Sequence, residues 1–402
     1  MSKRVFELIM NIYKVGFMSE WKTNKLSEVA KVVTGKTPST SNSAYFGGNI
    51  PFVSPADLNE GVLQETKTYL TELGAEQVYL VPKDTVLVSC IGNLGKLAIT
   101  NQEVCFNQQI NGLIFDQTKI YPKYGFYAAQ TFKPQLEKAS SSTTLPIVNK
   151  SRFSEILISY PPLSEQKRIA DILDKADELR QKRQQSIEKL DELLQATFID
   201  MFGDPVTNPK GWKVKKLADL GSIATGNTPP RANPENYGNF MEWIKSDNLN
   251  HSFDYATKAT EYLSEIGAKK ARVVPSGTIL VTCIAGSFDC IGNLAIVDRE
   301  VAFNQQINSL TPNDENDTLF LYYLLKISKH IIQSSSTKSM KGMISKSKFS
   351  EITLPIPPFE EQIKFSKVFE NFNSLKKTAL SQLEHQENLF QSLQQRAFKG
   401  EL

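Results

Sequence analysis

The stretch SEQKRIADILDKADELRQKRQQSIEKLDELLQATFI at residues 164–199 contains neither proline nor glycine. Two prolines at 161–162 precede it and Gly-Asp-Pro at 203–205 follows it, so both ends carry signals that bound a helix. The pattern predicts a single helix roughly 50 Å long, which needs a partner for its apolar face. The apolar residues recur at helical spacing, and they are Ile169, Ile172, Leu173, Ala176, Leu179, Ile187, Leu190, Leu193, Leu194 and Phe198.

The partner is predicted in the same chain, at residues 359–399, which read FEEQIKFSKVFENFNSLKKTALSQLEHQENLFQSLQQRAFK. This stretch also follows two prolines. Two helices of equal length with apolar stripes predict an antiparallel coiled coil. The alternative is that each helix packs on its own globular neighbour. The second stripe consists of Ile363, Val368, Phe369, Phe372, Leu375, Ala379, Leu383, Leu389, Phe390 and Leu393.

The remainder of the chain repeats itself, and an internal repeat outranks local signals. WKTNKLSEVAKVVTGKTPS from Trp21 matches WKVKKLADLGSIATGNTPP from Trp212, and VCFNQQIN from Val104 matches VAFNQQIN from Val301. Each copy mixes β-rich runs with one or two helices, which predicts a compact α/β unit. We therefore expect two tandem α/β domains separated by two long helices, with an approximate two-fold axis. The expected bounds are an N-terminal extension at 1–20, domains at 21–163 and 201–358, and spacer helices at 164–200 and 359–402.

Composition excludes several classes of protein. The 402 residues carry a formal net charge of only +3, so the chain is not a polybasic domain, and any phosphate neutralisation must be local or supplied by a partner. Four cysteines form no metal-like pair and three scattered histidines cannot complete a zinc set. Free thiols predict a reducing cytoplasm. No apolar run is long enough to predict a membrane-spanning helix.

The ordered, duplicated motifs resemble the specificity (S) subunit of type I restriction-modification systems. The features that carry the resemblance are the Thr-Gly-x-Thr-Pro turns at 34–38 and 225–229, the two FNQQIN segments, the PPLSEQ and PPFEEQ helix starts and the FGDPVTNPKGW linker at 202–212. The resemblance implies that each copy is a target recognition domain that reads half of a bipartite site in double-stranded DNA. It also implies that the helices set the gap between half-sites and dock two methyltransferase (M) subunits, which restriction (R) subunits join.

The same resemblance implies that the chain is not itself an enzyme, and that S-adenosylmethionine, ATP and Mg²⁺ are bound by partner subunits. The sequence contains no phosphate-binding loop, no glycine-rich cofactor fingerprint and no persuasive catalytic constellation, which agrees with that expectation. Two alternatives stay open. One is a self-contained fused restriction-methyltransferase, and the other is a tandem-domain protein-interaction scaffold that binds no nucleic acid.

The repeats share Asn and Gln side chains whose amides have the donor and the acceptor needed to pair with an adenine edge. The same triplet occurs in both copies, whereas the two halves of such targets usually differ. Structure or backbone contact is therefore favoured over base readout. Specificity is then expected where the copies diverge, at 39–45 against 231–237, at 61–77 against 251–270, and in an insertion at 287–290. The amides are Asn107, Gln108, Gln109, Asn304, Gln305 and Gln306.

Other candidates for DNA contact lie in turns and loops. The Thr-Gly-x-Thr-Pro turns are interpreted as phosphate clamps or plain β-turns, and the Ser/Thr-rich loops with their nearby cations as phosphate contacts or solvated charge. The turn candidates are Lys36, Thr37, Asn227, Thr228 and Arg231. The loop candidates are Ser141, Thr143, Lys150, Arg152, Ser335, Lys338, Lys341 and Lys346.

The second helix carries more apolar residues than the contact between two paired helices would bury, and both helices start with the same Glu-Gln pair. We interpret the surplus as a docking surface for partner proteins, with a merely solvated outer face as the alternative. The docking candidates are Glu165, Gln166, Ile169, Glu361, Gln362, Phe365 and Phe372.

Overall fold

The computed structural model describes residues 21–141, 145–249, 254–337 and 342–402. The expected N-terminal extension lies outside these residues. The chain divides into two compact units. Unit 1 comprises the described residues up to Arg183 together with Gln382–Leu402, and unit 2 comprises Gln184–Ser381.

Unit 1 contains short strands and helices followed by the first half of a long helix. Its strands are β1 (Lys22–Lys25), β2 (Ala30–Thr34), β3 (Phe46–Val53), β4 (Thr68–Leu70), β5 (Val86–Ser89), β6 (Leu97–Ile99), β7 (Cys105–Phe106), β8 (Ile110–Phe115) and β9 (Leu157–Tyr160). Its helices are α1 (Leu26–Val29), α2 (Glu72–Ala75), α3 (Pro122–Ala129), α4 (Lys133–Ala139), α5 (Lys150–Ser154) and the start of α6 (Leu163–Phe202).

The strands of unit 1 form three sheets. An antiparallel sheet has the order β2-β8-β5-β6, a second sheet has the order β4-β3-β7 with β3 and β7 parallel, and β1 pairs with β9. Strands β7 and β8 are close in sequence but belong to different sheets. The amide triplet at 107–109 is the turn that carries the chain from the second sheet to the first.

Unit 2 repeats this order. Its strands are β10 (Lys213–Lys216), β11 (Gly221–Thr225), β12 (Tyr237–Gly238), β13 (Met241–Ile244), β14 (Tyr262–Leu263), β15 (Val273–Val274), β16 (Ile279–Thr282), β17 (Leu294–Ile296), β18 (Val301–Phe303), β19 (Ile307–Pro312) and β20 (Thr353–Ile356). Its helices are α7 (Leu217–Leu220), α8 (Glu265–Lys270), α9 (Thr318–Ile327), α10 (Lys329–Ser334), α11 (Lys346–Ser350) and the start of α12 (Phe359–Phe398). The sheets have the orders β11-β19-β16-β17, β12-β14-β13-β18-β15 and β10-β20.

The long helices contribute to the core of each unit. In unit 1, Ile169 and Leu173 of α6 and Phe390 of α12 are buried with the apolar side chains of the domain. In unit 2, Phe198 of α6 stacks on Phe320 and meets Phe365 of α12 edge-on, at 5.8 and 5.0 Å between ring centroids. A fully buried aromatic side chain of this kind stabilises the fold by about 1.5–3 kcal/mol.

The two helices are antiparallel within each unit. In unit 1, Arg168 donates to the carbonyl of Leu402 at 2.9 Å, and further along α6 Arg180 pairs with Glu387 at 2.9 Å. In unit 2, Lys376 of α12 pairs with Asp191 of α6 at 2.7 Å. The predicted α/β fold class and the pairing of the helices are confirmed. The alternative, that each helix packs on a globular domain, also holds, because both helices contact each other and a domain core.

Four leucines expected to be buried between the two helices are exposed instead. Leu179 and Leu389 in unit 1, and Leu193 and Leu375 in unit 2, expose 55–58% of their surface. Helical spacing identifies an apolar stripe but cannot tell which part of it is covered. In the described ranges no helix is long and apolar enough to cross a membrane.

Candidate nucleic-acid interface

One end of the four-stranded sheet collects the loops that carry most of the predicted contacts. In unit 1, Thr34 of β2 pairs with Asn111 of β8, and Ser89 of β5 pairs with Ile110 of β8. Strands β2 and β5 therefore end where β8 begins, and their loops leave the sheet together with the turn before β8. Strands β11, β16 and β19 of unit 2 have the same arrangement. We name this end of each sheet the loop end.

At the loop end of unit 1, the Thr-Gly-x-Thr-Pro turn lies directly against the amide turn. The backbone N–H of Gly35 donates to the carbonyl of Ile110 at 3.1 Å, and that of Lys36 to the carbonyl of Phe106 at 3.0 Å. The hydroxyl of Thr37 donates to Oε1 of Gln108 at 2.6 Å. A Cβ at Gly35 would lie 2.2 Å from the carbonyl oxygen of Asn107, so this approach requires glycine.

Unit 2 builds the same contact from its own copy. The N–H of Gly226 donates to the carbonyl of Ile307 at 3.1 Å, and the Thr228 hydroxyl donates to Oε1 of Gln305. A Cβ at Gly226 would lie 2.2 Å from the carbonyl oxygen of Asn304. Two motifs that are far apart in sequence thus form one surface, and they do so twice.

The amides of the two triplets have different roles. Asn107 donates to Oε1 of Gln109 and accepts from its backbone N–H, both at 3.1 Å, and Asn304 makes the same bonds to Gln306. Both ends of the Asn107 and Asn304 side chains thus hold their own turn, which supports a structural role for these two residues over base readout. Gln108 and Gln305 are exposed, and within the described ranges their amide nitrogens have no protein partner.

The Ser/Thr-rich loops flank these turns. In unit 1 the N–H of Cys90 donates to the carbonyl of Gln109, and the carbonyl of Cys90 accepts from Val148, both at 2.8 Å. Cys283 makes the matching bonds with Gln306 and Ile344 in unit 2. Ser141 is exposed and donates to the carbonyl of Ile147. Thr143, Lys338 and Lys341 lie outside the described residues.

Two thiols lie beneath the loop ends. Burial raises the pKa of Cys90 and of Cys283 to about 12, although Asn111 and Asn308 oppose that rise by donating to them. The Asn111 amide nitrogen is 3.2 Å from the Cys90 sulfur. Both thiols are therefore protonated at neutral pH and act as packing and hydrogen-bonding groups rather than nucleophiles.

The predicted cations differ in availability. Lys36, Lys150 and Lys346 are exposed, and no ion pair involves them in the parts of the chain that the structure describes. Arg152 is exposed and donates to the carbonyl of Ala139 at 2.9 Å, and Ser335 donates back to its own helix. The Asn227 amide donates to the carbonyl of Lys270 and accepts from the N–H of Arg272, so it holds the backbone of residues 270–272.

The helix-start glutamines are not a docking surface. Gln166 is fully buried, accepts from the N–H of Tyr121 at 2.8 Å, and donates to two backbone carbonyls. Gln362 likewise accepts from Asp317 N–H at 2.9 Å and donates to the Pro357 carbonyl. The docking predictions for Gln166 and Gln362 are wrong, because each amide joins its helix to its own domain.

Burial also overturns the docking predictions for Ile169 and Phe365, which are 1% and 0% exposed. The apolar residues of α12 pack inside both units. Phe365 meets Phe198 in unit 2, where Phe372 is half-buried against the same core, and Phe390 is buried in unit 1. Glu165 and Glu361 remain at the surface and pair with Arg168 and Lys364 one turn on.

Sequence reasoning missed the aromatic and acidic neighbours of Arg231 and the exposed leucines of the long helices. Arg231 pairs with Glu261 at 2.8 Å and lies over the rings of Tyr237 and Trp243. Divergence between the two copies is the sequence feature that points to this cluster, since Arg231 and Tyr237 are the first and last residues of one divergent segment.

Residues 18–189 and 209–385 match the family described as type I restriction modification DNA specificity domain. The MjaIX specificity subunit of Methanocaldococcus jannaschii is 29% identical over 53% of this chain and 54% of that protein. The HindI specificity subunit of Haemophilus influenzae is 37% identical over 34% of this chain and 28% of that protein. The chain thus spans about half or less of these two relatives, whereas the MjaVIII specificity subunit of M. jannaschii, at 24% identity, is covered over 89% of its length.

Solved structures show the same fold. A crystal structure of a type I restriction-modification S subunit from M. genitalium has a TM-score of 0.58 at 15% identity, covering 95% of this chain and 96% of that one. A chain from a structural study of type I system assembly and conformational transition has a TM-score of 0.59 at 18% identity, covering 95% and 98%. With two successive family matches across most of its length, the chain belongs to the type I restriction-modification DNA specificity family.

Proposed function

We propose that this protein is the non-catalytic specificity subunit of a type I restriction-modification enzyme. Each unit reads one half of a bipartite site in double-stranded DNA. The observation that carries the proposal is the duplicated loop end, where Thr37 meets Gln108 in unit 1 and Thr228 meets Gln305 in unit 2. Two equivalent surfaces in one chain suit a ligand with two half-sites.

The shared and divergent residues of the loop end divide the work of recognition. Residues that both units share, such as Gln108 and Gln305, position the DNA backbone, because identical groups cannot distinguish two different half-sites. The exposed cation of Lys36 adds phosphate neutralisation in unit 1. The divergent segments after each Thr-Gly-x-Thr-Pro turn supply the base contacts.

The long helices set the gap between half-sites and dock two methyltransferase subunits, which restriction subunits join. Each unit offers an exposed leucine from both helices, Leu179 with Leu389 in unit 1 and Leu193 with Leu375 in unit 2. Apolar side chains exposed at matching places support two equivalent docking sites. The partners would bind S-adenosylmethionine, ATP and Mg²⁺. The four free cysteines support action in the reducing cytoplasm.

Co-expression with the methyltransferase encoded beside this chain tests the proposal. We expect a purified complex, and methylation across a genome confined to one bipartite motif that is lost when this chain is omitted. A methyltransferase that methylates the same motif without this chain would contradict the proposal. Failure to form any complex would instead favour a protein-interaction scaffold.

A further inference from the structure

Unit 2 carries a charged cluster on an aromatic support beside its loop end. The guanidinium carbon of Arg231 lies 4.8 Å from the ring centroid of Tyr237 and 5.2 Å from that of Trp243. Glu261 accepts from Arg231 at 2.8 Å and pairs with Lys245 at 2.9 Å. Lys245 also lies 5.2 Å from the Trp243 ring. Stacking and an ion pair together fix the plane of the guanidinium.

The aromatic support is fastened to the turn that meets Gln305. The Tyr237 hydroxyl donates to the carbonyl of Pro229 at 2.7 Å, and the Trp243 indole N–H donates to the carbonyl of Asn227 at 3.3 Å. Trp243 is only 3% exposed. The position of Arg231 is therefore set by the same backbone that forms the loop end.

Unit 1 keeps the rings of this cluster and lacks its charges. Phe52 of β3 lies beside Cys105 of β7 in the same parallel register that places Trp243 of β13 beside Ala302 of β18. Following that register, the positions of Arg231, Tyr237, Trp243, Lys245 and Glu261 are occupied in unit 1 by Thr40, Phe46, Phe52, Ser54 and Thr68. The rings are a shared structural feature, and the three charges belong to unit 2 alone.

The carboxylate beside the Arg231 guanidinium favours a base over a phosphate as its partner. A phosphate attracts any nearby cation, and an ionised carboxylate beside that cation weakens the attraction. Glu261 is such a carboxylate, because its hydrogen bonds to Lys245 and Arg231 hold its pKa below the ordinary value, although its partial burial acts in the opposite direction. A guanine edge instead presents two acceptors that a planar, oriented guanidinium can meet together. The Arg231 side chain is 57% exposed and so is accessible to such a partner.

We propose that Arg231 reads a guanine in the half-site contacted by unit 2, with Glu261 and Lys245 as positioning residues. The inference rests on the proposed function and names the base chemistry of one of its two sites. Unit 1, with Thr40 at the matching position, reads its half-site by other groups.

The test compares genome-wide methylation motifs made by the complete complex with wild-type chain, R231A, R231K, E261Q and the unit 1 control T40A. R231A should relax one G·C position in one half-site and leave the other half-site and the gap unchanged. On duplexes that carry the mapped motif or a base-pair change at that position, discrimination should fall roughly tenfold to hundredfold. R231K should relax the same position, because lysine lacks the planar fork.

E261Q separates the two kinds of contact. It should relax the same position with little loss of total DNA binding, whereas a phosphate site would bind DNA more tightly and keep its motif. The proposal is overturned if R231A and R231K leave the motif unchanged or weaken methylation equally at every site, or if the relaxed position is A·T. T40A should leave the motif intact. Absence of any bipartite motif with wild-type chain would refute the proposed function itself, which distinguishes that failure from failure of the inference.

Discussion

The Thr37 hydroxyl donates to Oε1 of Gln108 across 71 residues of sequence, at 2.6 Å. This bond joins the turn after β2 to the turn before β8 at the surface of unit 1. Because it is exposed, it contributes little to folding, about 1 kcal/mol or less. Its value lies in holding the Gln108 amide nitrogen toward solvent.

We therefore expect T37V to weaken DNA binding by the complex roughly fivefold, the equivalent of about 1 kcal/mol, with the melting temperature nearly unchanged. Fluorescence anisotropy on a duplex with the mapped motif measures the effect. T118V is the matched control, since Thr118 donates to Asp116 at 2.6 Å beyond the opposite end of β8. Equal affinities for T37V and T118V would remove Thr37 from the interface.

Gly226 tests whether the turn must approach the amide segment this closely. G226A should destabilise unit 2 by about 3 kcal/mol, because its Cβ would overlap the Asn304 carbonyl and the backbone must move. G286A is the control, because a Cβ there meets no atom within 4 Å in the described structure. Thermal melting monitored by circular dichroism compares the two variants, and a G226A melting curve that matches G286A would contradict the packing described.

Gln166 and Gln362 should matter for stability rather than for partner binding. Truncating either to alanine removes the partner of a backbone N–H and of two carbonyls for Gln166 or one carbonyl for Gln362, which costs about 1–3 kcal/mol. Q185A is the control because Gln185 is exposed on the same helix as Gln166. We expect lower melting temperatures for Q166A and Q362A and normal binding of methyltransferase by the folded fraction. A docking role would give the reverse pattern.

The sequence predicted much of this architecture because duplication reveals itself without any structure. The paired motifs at Thr37 and Gln108 were both identified, yet nothing in their spacing showed that they touch. That contact depends on a chain that changes sheets at 107–109, and such a crossover has no periodic signature. Duplication is also misleading, because the identical Glu-Gln helix starts suggest a docking surface, whereas Gln166 is buried and connects its helix to its own domain.

The same limit applies to the cluster at Arg231. Its partner Glu261 is 30 residues away, directly before β14, and only the pairing of β14 with β12 and β13 brings the two charges together. Leu179 illustrates the opposite error, since it fits the helical stripe but remains 57% exposed. Periodicity describes one helix at a time, whereas burial depends on what covers it.

Thiol reactivity provides a test of the cores. Burial raises the pKa of Cys90 and Cys283 to about 12 and that of Cys105 to about 11, so these thiols stay protonated as pH rises from 7 to 10. Cys290 is partly exposed. Native protein treated with iodoacetamide should be alkylated at Cys290 first. Mass spectrometry of the peptides measures the order of labelling. Unfolding in urea should equalise all four sites, and rapid native labelling of Cys90 would show that the loop end opens.

The final prediction concerns the spacing between half-sites. Seven residues inserted after Arg183 in α6 and seven after Ser381 in α12 add about 10 Å to each helix and preserve the apolar stripe. At about 3.4 Å per base pair, the methylated motif should keep both half-sites and gain a gap longer by about three base pairs. Insertion into α6 alone is the control, since it offsets one helix against its antiparallel partner and should impair assembly. If the doubly lengthened chain assembles and methylates with the original gap, the helices do not set the spacing.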